Sequence, residues 1–244
     1  MNENSYDAIA EQYKNSKQLG FRKCIEEYTL LKLIGDVSNK KILDLACGEG
    51  IYTRKIKALG AAKILGVDLS SEMIKLAEAE ELKNLIGCEY LVNDALALGK
   101  VDDFDIVMCM YLFNYAQTKE ELLQMCKTVF LNLKSGGKLV GFNDNPMNKL
   151  ENYATYKEYG FIKASTETRN EGDFVRYVIF NPDGTEFSFN NFYLSPQTYE
   201  ACFKEVGFKN FRWEGPFLDA KVSDTEYWDT FFIDPPLIGF SAEK

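Results

Sequence analysis

The stretch KKILDLACGEG, residues 40–50, decides the fold of this chain. Residues 42–45 are apolar apart from Asp44 and predict a short buried strand, and residues 46–50 predict a tight turn that leads into a helical pattern. Where a strand turns through glycines into a helix, the backbone can approach a ligand closely and helix N–H groups point towards it. The stretch therefore predicts a cradle for a small ligand.

Strands and helices alternate along the chain around this turn. Residues 62–67, 89–92, 105–110 and 138–142 each form an apolar run of strand length, and helical patterns separate these runs. Such alternation over about 100 residues is typical of a parallel sheet with helices on both faces.

Beyond residue 143 the pattern changes. Residues 174–180 and 186–194 flank the turn signal Asn-Pro-Asp-Gly and predict a hairpin, whereas residues 144–170 read as a loop with a short helix. Residues 211–213 and 237–240 predict two closing strands. We therefore expect an α/β fold: a doubly wound, mostly parallel, seven-stranded, Rossmann-like sheet with an inserted antiparallel lid and a helical N-terminus.

We expect one domain over residues 1–244. Its parts would be a helical N-terminal cap, a ligand-binding core, a lid insertion, and a closing helix with strands, at residues 1–38, 39–143, 144–194 and 195–244.

The composition excludes several kinds of chemistry. The chain has no histidine, which rules out His-based acid–base catalysis and His-ligated metals, and we expect no metal site. Its net charge of −9, with no basic cluster, argues against nucleic acid or an anionic membrane as a partner. The cysteines have no paired spacing and no apolar run is long enough to cross a bilayer, so we expect free thiols and a cytoplasmic protein.

The cradle could hold a dinucleotide or S-adenosylmethionine. A dinucleotide site favours G-x-G-x-x-G, but Thr53 stands where the third glycine would be, after Gly48 and Gly50. Asp68, at the end of the second strand, suits the ribose diol that both ligands carry. This aspartate therefore predicts a nucleoside and does not say which one.

Two further aspartates separate the two ligands. Asp44 lies inside the first strand, next to the glycine turn, where a carboxylate favours a cationic group and opposes a pyrophosphate. Asp94 follows the third strand and could accept a hydrogen bond from the adenine amino group, with the Ala95 N–H on a ring nitrogen. Acidic residues at the carboxyl ends of three successive strands favour S-adenosylmethionine, which carries an ammonium and a sulfonium.

The motifs LDLACGEG, GVDLSSEMI, NDA and FDIV, together with the turn at residues 133–137, resemble those of class I S-adenosylmethionine-dependent methyltransferases. The resemblance covers roughly residues 38–143. It implies that the cofactor contacts Asp44, Ala46, Gly48, Gly50, Asp68, Leu69, Met73, Asn93, Asp94, Ala95 and Met110. Tyr13 resembles residues that close over the cofactor in related enzymes, and packing of its ring against the core is equally open.

A narrower likeness is spread over most of the chain. Residues 112–116, Phe192-Tyr193, residues 211–213 and Trp228-Asp229 resemble toxoflavin-type azapteridine N-methyltransferases. This likeness implies a flat heterocyclic acceptor. The acid or amide motif followed by two prolines that grips bases in nucleic-acid methyltransferases is absent after the fourth strand.

The acceptor is expected where the fourth strand opens and under the lid. Candidate acceptor contacts are Phe113, Asn114, Tyr115, Phe192, Tyr193 and Trp213, and candidate positioning residues are Tyr13, Tyr111 and Asn114. Aromatic side chains could stack on a flat substrate, or they could simply pack the lid. No catalytic side chain is assigned.

The sequence thus predicts methylation of a small molecule, with the methyl group moving in line from sulfur to a heterocyclic or amine nitrogen. The alternatives are O- or C-methylation of another metabolite, an NAD-dependent oxidoreductase, and a module that only senses the cofactor.

Overall fold

A computed structural model of the chain describes residues 10–244. It contains ten strands: β1 Lys41–Leu45, β2 Lys63–Asp68, β3 Glu89–Val92, β4 Phe104–Met110, β5 Leu133–Asp144, β6 Phe161–Ser165, β7 Phe174–Phe180, β8 Glu186–Phe192, β9 Lys209–Glu214 and β10 Leu237–Glu243. Residues 1–9 of the predicted helical N-terminal cap lie outside the described range.

Seven α-helices accompany these strands within the described residues: α1 Ala10–Ser16, α2 Tyr28–Ile34, α3 Ile51–Ala58, α4 Ser71–Lys83, α5 Lys119–Asn132, α6 Pro196–Val206 and α7 Asp229–Ile233. A π-helical segment, Arg22–Glu27, runs directly into α2. Short 3₁₀ turns occur at Leu112–Tyr115, Leu150–Asn152, Thr155–Tyr159 and Glu226–Trp228. None of the helices in residues 10–244 is long and apolar enough to cross a membrane.

The central sheet confirms the predicted fold class. Its seven strands lie in the order β3-β2-β1-β4-β5-β10-β9. The first five of these pair in parallel, whereas β10 runs antiparallel to both β5 and β9. Because the carboxyl ends of parallel strands meet at one edge, the turns after β1, β2 and β4 lie next to one another.

Alternate residues of β1 reach opposite faces of the sheet, as a doubly wound fold requires. Ile42 belongs to the core under α2 and α3, and Leu43 belongs to the core under α5 and α6; both side chains are fully buried. The first of these cores continues into the second sheet through Val175 and Ile179.

The second sheet is antiparallel, with the order β6-β7-β8. Its β7–β8 hairpin was predicted, but β6 falls where the sequence predicts a loop and a short helix. Lys163 explains the difference, because this charged residue occupies an inward position of β6 and is 2% exposed. A lysine at a core position hides the alternation by which a strand is recognised.

Candidate active site

The turn after β1 takes a backbone conformation that depends on small residues. Ala46, Gly48 and Gly50 have φ of 62°, 54° and 75°, in the left-handed region that glycine adopts freely. A Cβ added to Gly50 would also lie 2.5 Å from the Tyr90 hydroxyl. Glycine at position 50 is therefore required by backbone angle and by space.

Asp68 is held at the end of β2 by backbone donors. Its Oδ2 accepts a 2.7 Å hydrogen bond from the Gly48 N–H, and its Oδ1 accepts a 2.9 Å bond from the Ser70 N–H. Ser70 in turn caps α4, because its Oγ accepts from the Met73 N–H. These bonds join the glycine turn, the end of β2 and the start of α4 into one rigid cradle.

A cavity of about 750 Å³ opens over this cradle. It brings together nine of the predicted cofactor contacts: Tyr13, Ala46, Gly48, Asp68, Leu69, Met73, Asn93, Ala95 and Met110. Its volume is within the range of sites for small molecules and cofactors. Three predicted cofactor contacts, Asp44, Gly50 and Asp94, do not line the cavity.

Asp44 lies below the turn and is 1% exposed. Its Oδ2 accepts a 2.6 Å hydrogen bond from the Thr53 hydroxyl, while its Oδ1 is buried with no hydrogen-bond partner within residues 10–244. Burial raises the pKa of Asp44 to about 7; the Thr53 bond opposes the rise and the Asp68 charge adds to it. A buried carboxyl group with one open oxygen is complementary to an ammonium group.

Asp94 has a local role in the structure. Its Oδ1 accepts a 2.8 Å hydrogen bond from the Leu96 N–H, which is typical of an aspartate that stabilises a turn. Its neighbours Asn93 and Ala95 line the cavity. Contact between Asp94 and adenine stays a prediction.

The far end of the cavity is built from the turn after β4 and from the edge of the lid. Tyr111, Tyr115 and Phe192 were predicted there and line it. Six further residues line it that were not predicted from the sequence: Gln117, Glu121, Arg176, Ser188, Phe189 and Asn190. Arg176 meets Asn190 only through the β7–β8 register, with 3.0 Å between Nε and Oδ1, and no local sequence signal marks that pairing.

Four predicted acceptor contacts do not line the cavity. Phe113 is buried against Phe203 and Phe240, and Trp213 packs edge-on against Tyr199. Asn114 accepts a hydrogen bond from the Asp144 N–H, and Tyr193 lies against the Arg169 guanidinium. These contacts are packing and support, and the acceptor role of all four residues stays a prediction.

The Tyr111 hydroxyl is held by a buried carboxylate, that of Glu26, which was not predicted from the sequence. The Glu26 carboxylate, which is fully buried, accepts hydrogen bonds from the Tyr111 and Tyr52 hydroxyls and from Arg22. Although burial raises the pKa of Glu26, the charges of Arg22 and Lys17 hold it below its usual value. Glu26 therefore remains ionised and holds Tyr111 against the cavity, where that residue has a φ of 70°.

Comparison with known proteins assigns the domain that carries this site. A family model described as a methyltransferase domain matches residues 42–137, which span the cradle and β1 to β5. A protein of Haemophilus influenzae described as uncharacterized is 28% identical, over 98% of this chain and 95% of its own length. A ubiquinone biosynthesis O-methyltransferase of Cupriavidus pinatubonensis is 30% identical over 39% of each chain. The chain therefore matches about two fifths of that enzyme's length.

Solved structures share the fold over nearly the whole chain. An S-adenosylmethionine-dependent methyltransferase from Mesorhizobium loti has a TM-score of 0.64 and 20% identity, covering 90% of this chain and 97% of its own. A complex of DhpI with S-adenosylmethionine has a TM-score of 0.64 and 16% identity, covering 98% and 94%. These structures share the fold of the chain, and the family match places a methyltransferase domain at residues 42–137.

Proposed function

We propose that the chain is an S-adenosylmethionine-dependent methyltransferase and that it methylates a nitrogen atom of a small, flat heterocycle or amine. The observation that carries the proposal is one continuous cavity that extends from the Asp68 cradle to Phe189 and Phe192 of the lid. When bound, S-adenosylmethionine supplies an electrophilic methyl group. A cavity of about 750 Å³ suits this cofactor and one small acceptor better than a polymer.

The residues of the cradle fit the cofactor by charge and by shape. We assign the ribose hydroxyls to Asp68. Asp44 lies below the turn and does not line the cavity, so we propose that its carboxylate favours the ammonium group through its charge. Leu69 and Met73 line the cavity and would supply apolar surface for the adenine, and Asn93, which also lines it, would supply a polar group.

Positioning and exclusion of water are the contributions we assign to the acceptor end. A neutral amine or imine nitrogen carries a lone pair, so it needs no proton removed before it reacts, and a chain without histidine can serve it. Tyr111, Tyr115 and Phe189 wall the space where such a flat acceptor would stack. The likeness to azapteridine N-methyltransferases points the same way.

O-methylation is the second candidate, because relatives named ubiquinone biosynthesis O-methyltransferases match 39% and 49% of the chain. A hydroxyl acceptor would need a base. Glu121 lines the cavity and could serve, although its Oε2 already accepts a 2.8 Å bond from the Gln117 N–H.

We also propose that residues 1–244 act as one methyltransferase domain. Tyr13 of the N-terminal cap and Phe189 of the lid line the same cavity as Gly48 of the core. A site assembled from all three parts needs them together.

The test combines binding with product analysis. Calorimetry with S-adenosylmethionine and S-adenosylhomocysteine should show binding of both. Methyl transfer to a panel of heterocycles, amines and phenols, read by mass spectrometry and NMR of the product, should place the new methyl group on nitrogen. Exclusive O-methylation would reject the proposed atom, and failure of both cofactors to bind would reject the cradle.

A further inference from the structure

We propose that a recess beside the cavity recognises a hydroxyl substituent on the ring of the acceptor, through Asn191 and Arg22. This inference rests on the proposed function, since it concerns the acceptor of the same site. The recess lies between the N-terminal cap and the lid sheet, and both Asn191 and Arg22 line it.

The recess adjoins the acceptor end of the cavity. Tyr13, Tyr111, Tyr115 and Phe189 line both spaces. The recess itself measures about 20 Å³, which is room for a single water-sized group. A ring held in the larger cavity could therefore place one substituent atom in the recess.

Two buried polar atoms in the walls lack partners. Asn191 is 2% exposed and Arg22 is 4% exposed, and neither Asn191 Oδ1 nor Arg22 Nε has a hydrogen-bond partner in the described part of the chain. The neighbouring hydroxyls are already engaged, because Tyr111 donates to Glu26 and Tyr177 donates to Asp144. Burying an unsatisfied donor or acceptor opposes folding, so such atoms mark a place where a ligand can complete the bonding.

The two unpartnered atoms define which group could bond to both of them. Asn191 Oδ1 accepts a hydrogen bond, and the Arg22 Nε–H donates one. A hydroxyl can donate to the first and accept from the second, whereas an aromatic amino group mainly donates and a methyl group does neither. The aromatic walls formed by Tyr111 and Phe189 favour a ring as the bearer of that hydroxyl.

Three small probes of similar shape test the recess: phenol, aniline and toluene. Each is titrated by NMR into the complex of the full chain with S-adenosylhomocysteine. Phenol should bind about tenfold more tightly than toluene, with aniline between them. Asn191→Leu should remove this ranking, and Asn191→Asp, which keeps an acceptor oxygen, should preserve phenol over toluene. Asn170→Leu makes the same exchange at an exposed lid position outside both spaces and should leave the ranking unchanged.

The results separate this inference from the proposed function. Failure of S-adenosylhomocysteine to bind would count against the cofactor site. If S-adenosylhomocysteine binds but the complex binds phenol and toluene equally, or does not bind phenol, the proposed recognition of a hydroxyl group is wrong. The recess is then a water site. The ranking in the unaltered protein decides the point even if Asn191→Leu does not fold.

Discussion

A single carboxyl group, that of Asp44, should make cofactor binding depend on pH. Its pKa of about 7 lies above the value near 4 of an unfolded chain. In the cofactor-free protein the fold favours the protonated form of Asp44, so ionisation of Asp44 opposes folding. The free energy of unfolding therefore falls as the pH rises from about 4 to 7. A cofactor ammonium group near Asp44 favours the ionised carboxylate. Ionisation of Asp44 should therefore strengthen cofactor binding as the pH rises.

We predict that affinity for S-adenosylhomocysteine increases about tenfold between pH 6 and pH 8, as Asp44 passes from mostly protonated to mostly ionised. Calorimetry at three pH values measures this. Asp44→Asn should bind more weakly and show a flat profile, while Asp103→Asn, an exposed site at the amino end of β4, should keep the increase. A flat profile in the unaltered protein would rule out the role of Asp44.

Asp68 gives a second prediction at the scale of one residue. Asp68→Ala should weaken cofactor binding by on the order of 1–3 kcal/mol, because charge-assisted bonds to the ribose are lost. Its carboxylate also joins Gly48 to Ser70, so thermal unfolding must be measured alongside calorimetry. Asp103→Ala is the matched exposed control, and unchanged affinity in Asp68→Ala would contradict the ribose role.

More of the cradle than of the acceptor end could be predicted from the sequence. Gly48 and Asp68 are marked by their place after short apolar strands, and parallel topology alone brings strand ends together. Phe113 and Asn190 show why the acceptor end is harder to predict. Phe113 follows a strand end but turns into the core, and Asn190 reaches the cavity only through hairpin pairing. Both depend on contacts between residues that are distant in sequence.

At the scale of the element, the π-helical segment Arg22–Glu27 carries a buried carboxylate that binds side chains of two other elements. Glu26 is fully buried and accepts from Tyr52 on α3 and from Tyr111 after β4. The Arg22 guanidinium lies 2.7 Å from the same carboxylate. A wider helical turn is common at functional sites, and here it supports a wall of the cavity.

We predict that Glu26→Ala lowers the free energy of unfolding by about 3–5 kcal/mol, since it leaves Arg22 buried without a counter-charge. Urea unfolding measures the loss. Glu27→Ala provides the matched control, because Glu27 is adjacent but only half-buried and pairs with Lys55, and it should cost less than about 1 kcal/mol. If both variants lose the same free energy of unfolding, the buried Arg22–Glu26 pair contributes no more to stability than the half-buried Glu27–Lys55 pair.

The elements themselves followed from the sequence wherever local signals agreed. A closing helix was predicted within residues 195–244, and α6 begins after Ser195, whose side chain accepts from the Thr198 N–H, and ends at Gly207, which has a φ of 105°. Strand β6, by contrast, could not be predicted from local signals. Its buried Lys163 is paired by residues beyond the strand, which no local pattern contains.

At the scale of the whole molecule, an ion pair joins the lid to the central sheet. Lys163 of β6 is 2.5 Å from the Asp144 carboxylate at the end of β5, and the Tyr177 hydroxyl of β7 donates to that carboxylate. Lys163 also donates to Asn148 at 2.9 Å. Two strands of the lid are therefore fixed to one carboxylate of the central sheet, which makes cooperative unfolding of the two sheets the expected behaviour.

We predict that Lys163→Met lowers the free energy of unfolding by about 3–5 kcal/mol, because Asp144 stays buried without its counter-charge. Adding Asp144→Asn should recover at least half of that loss, since the Tyr177 hydroxyl keeps an acceptor and no charge remains unpaired. Lys157→Met, at an exposed position just before β6, should change stability by less than about 0.5 kcal/mol. Urea unfolding gives the free energies, and hydrogen exchange of the β7 amides reports on the lid. Rapid exchange in β7 of Lys163→Met, with the central sheet still protected, would show that this ion pair couples the two sheets, whereas unchanged exchange and stability would show that apolar packing alone does so.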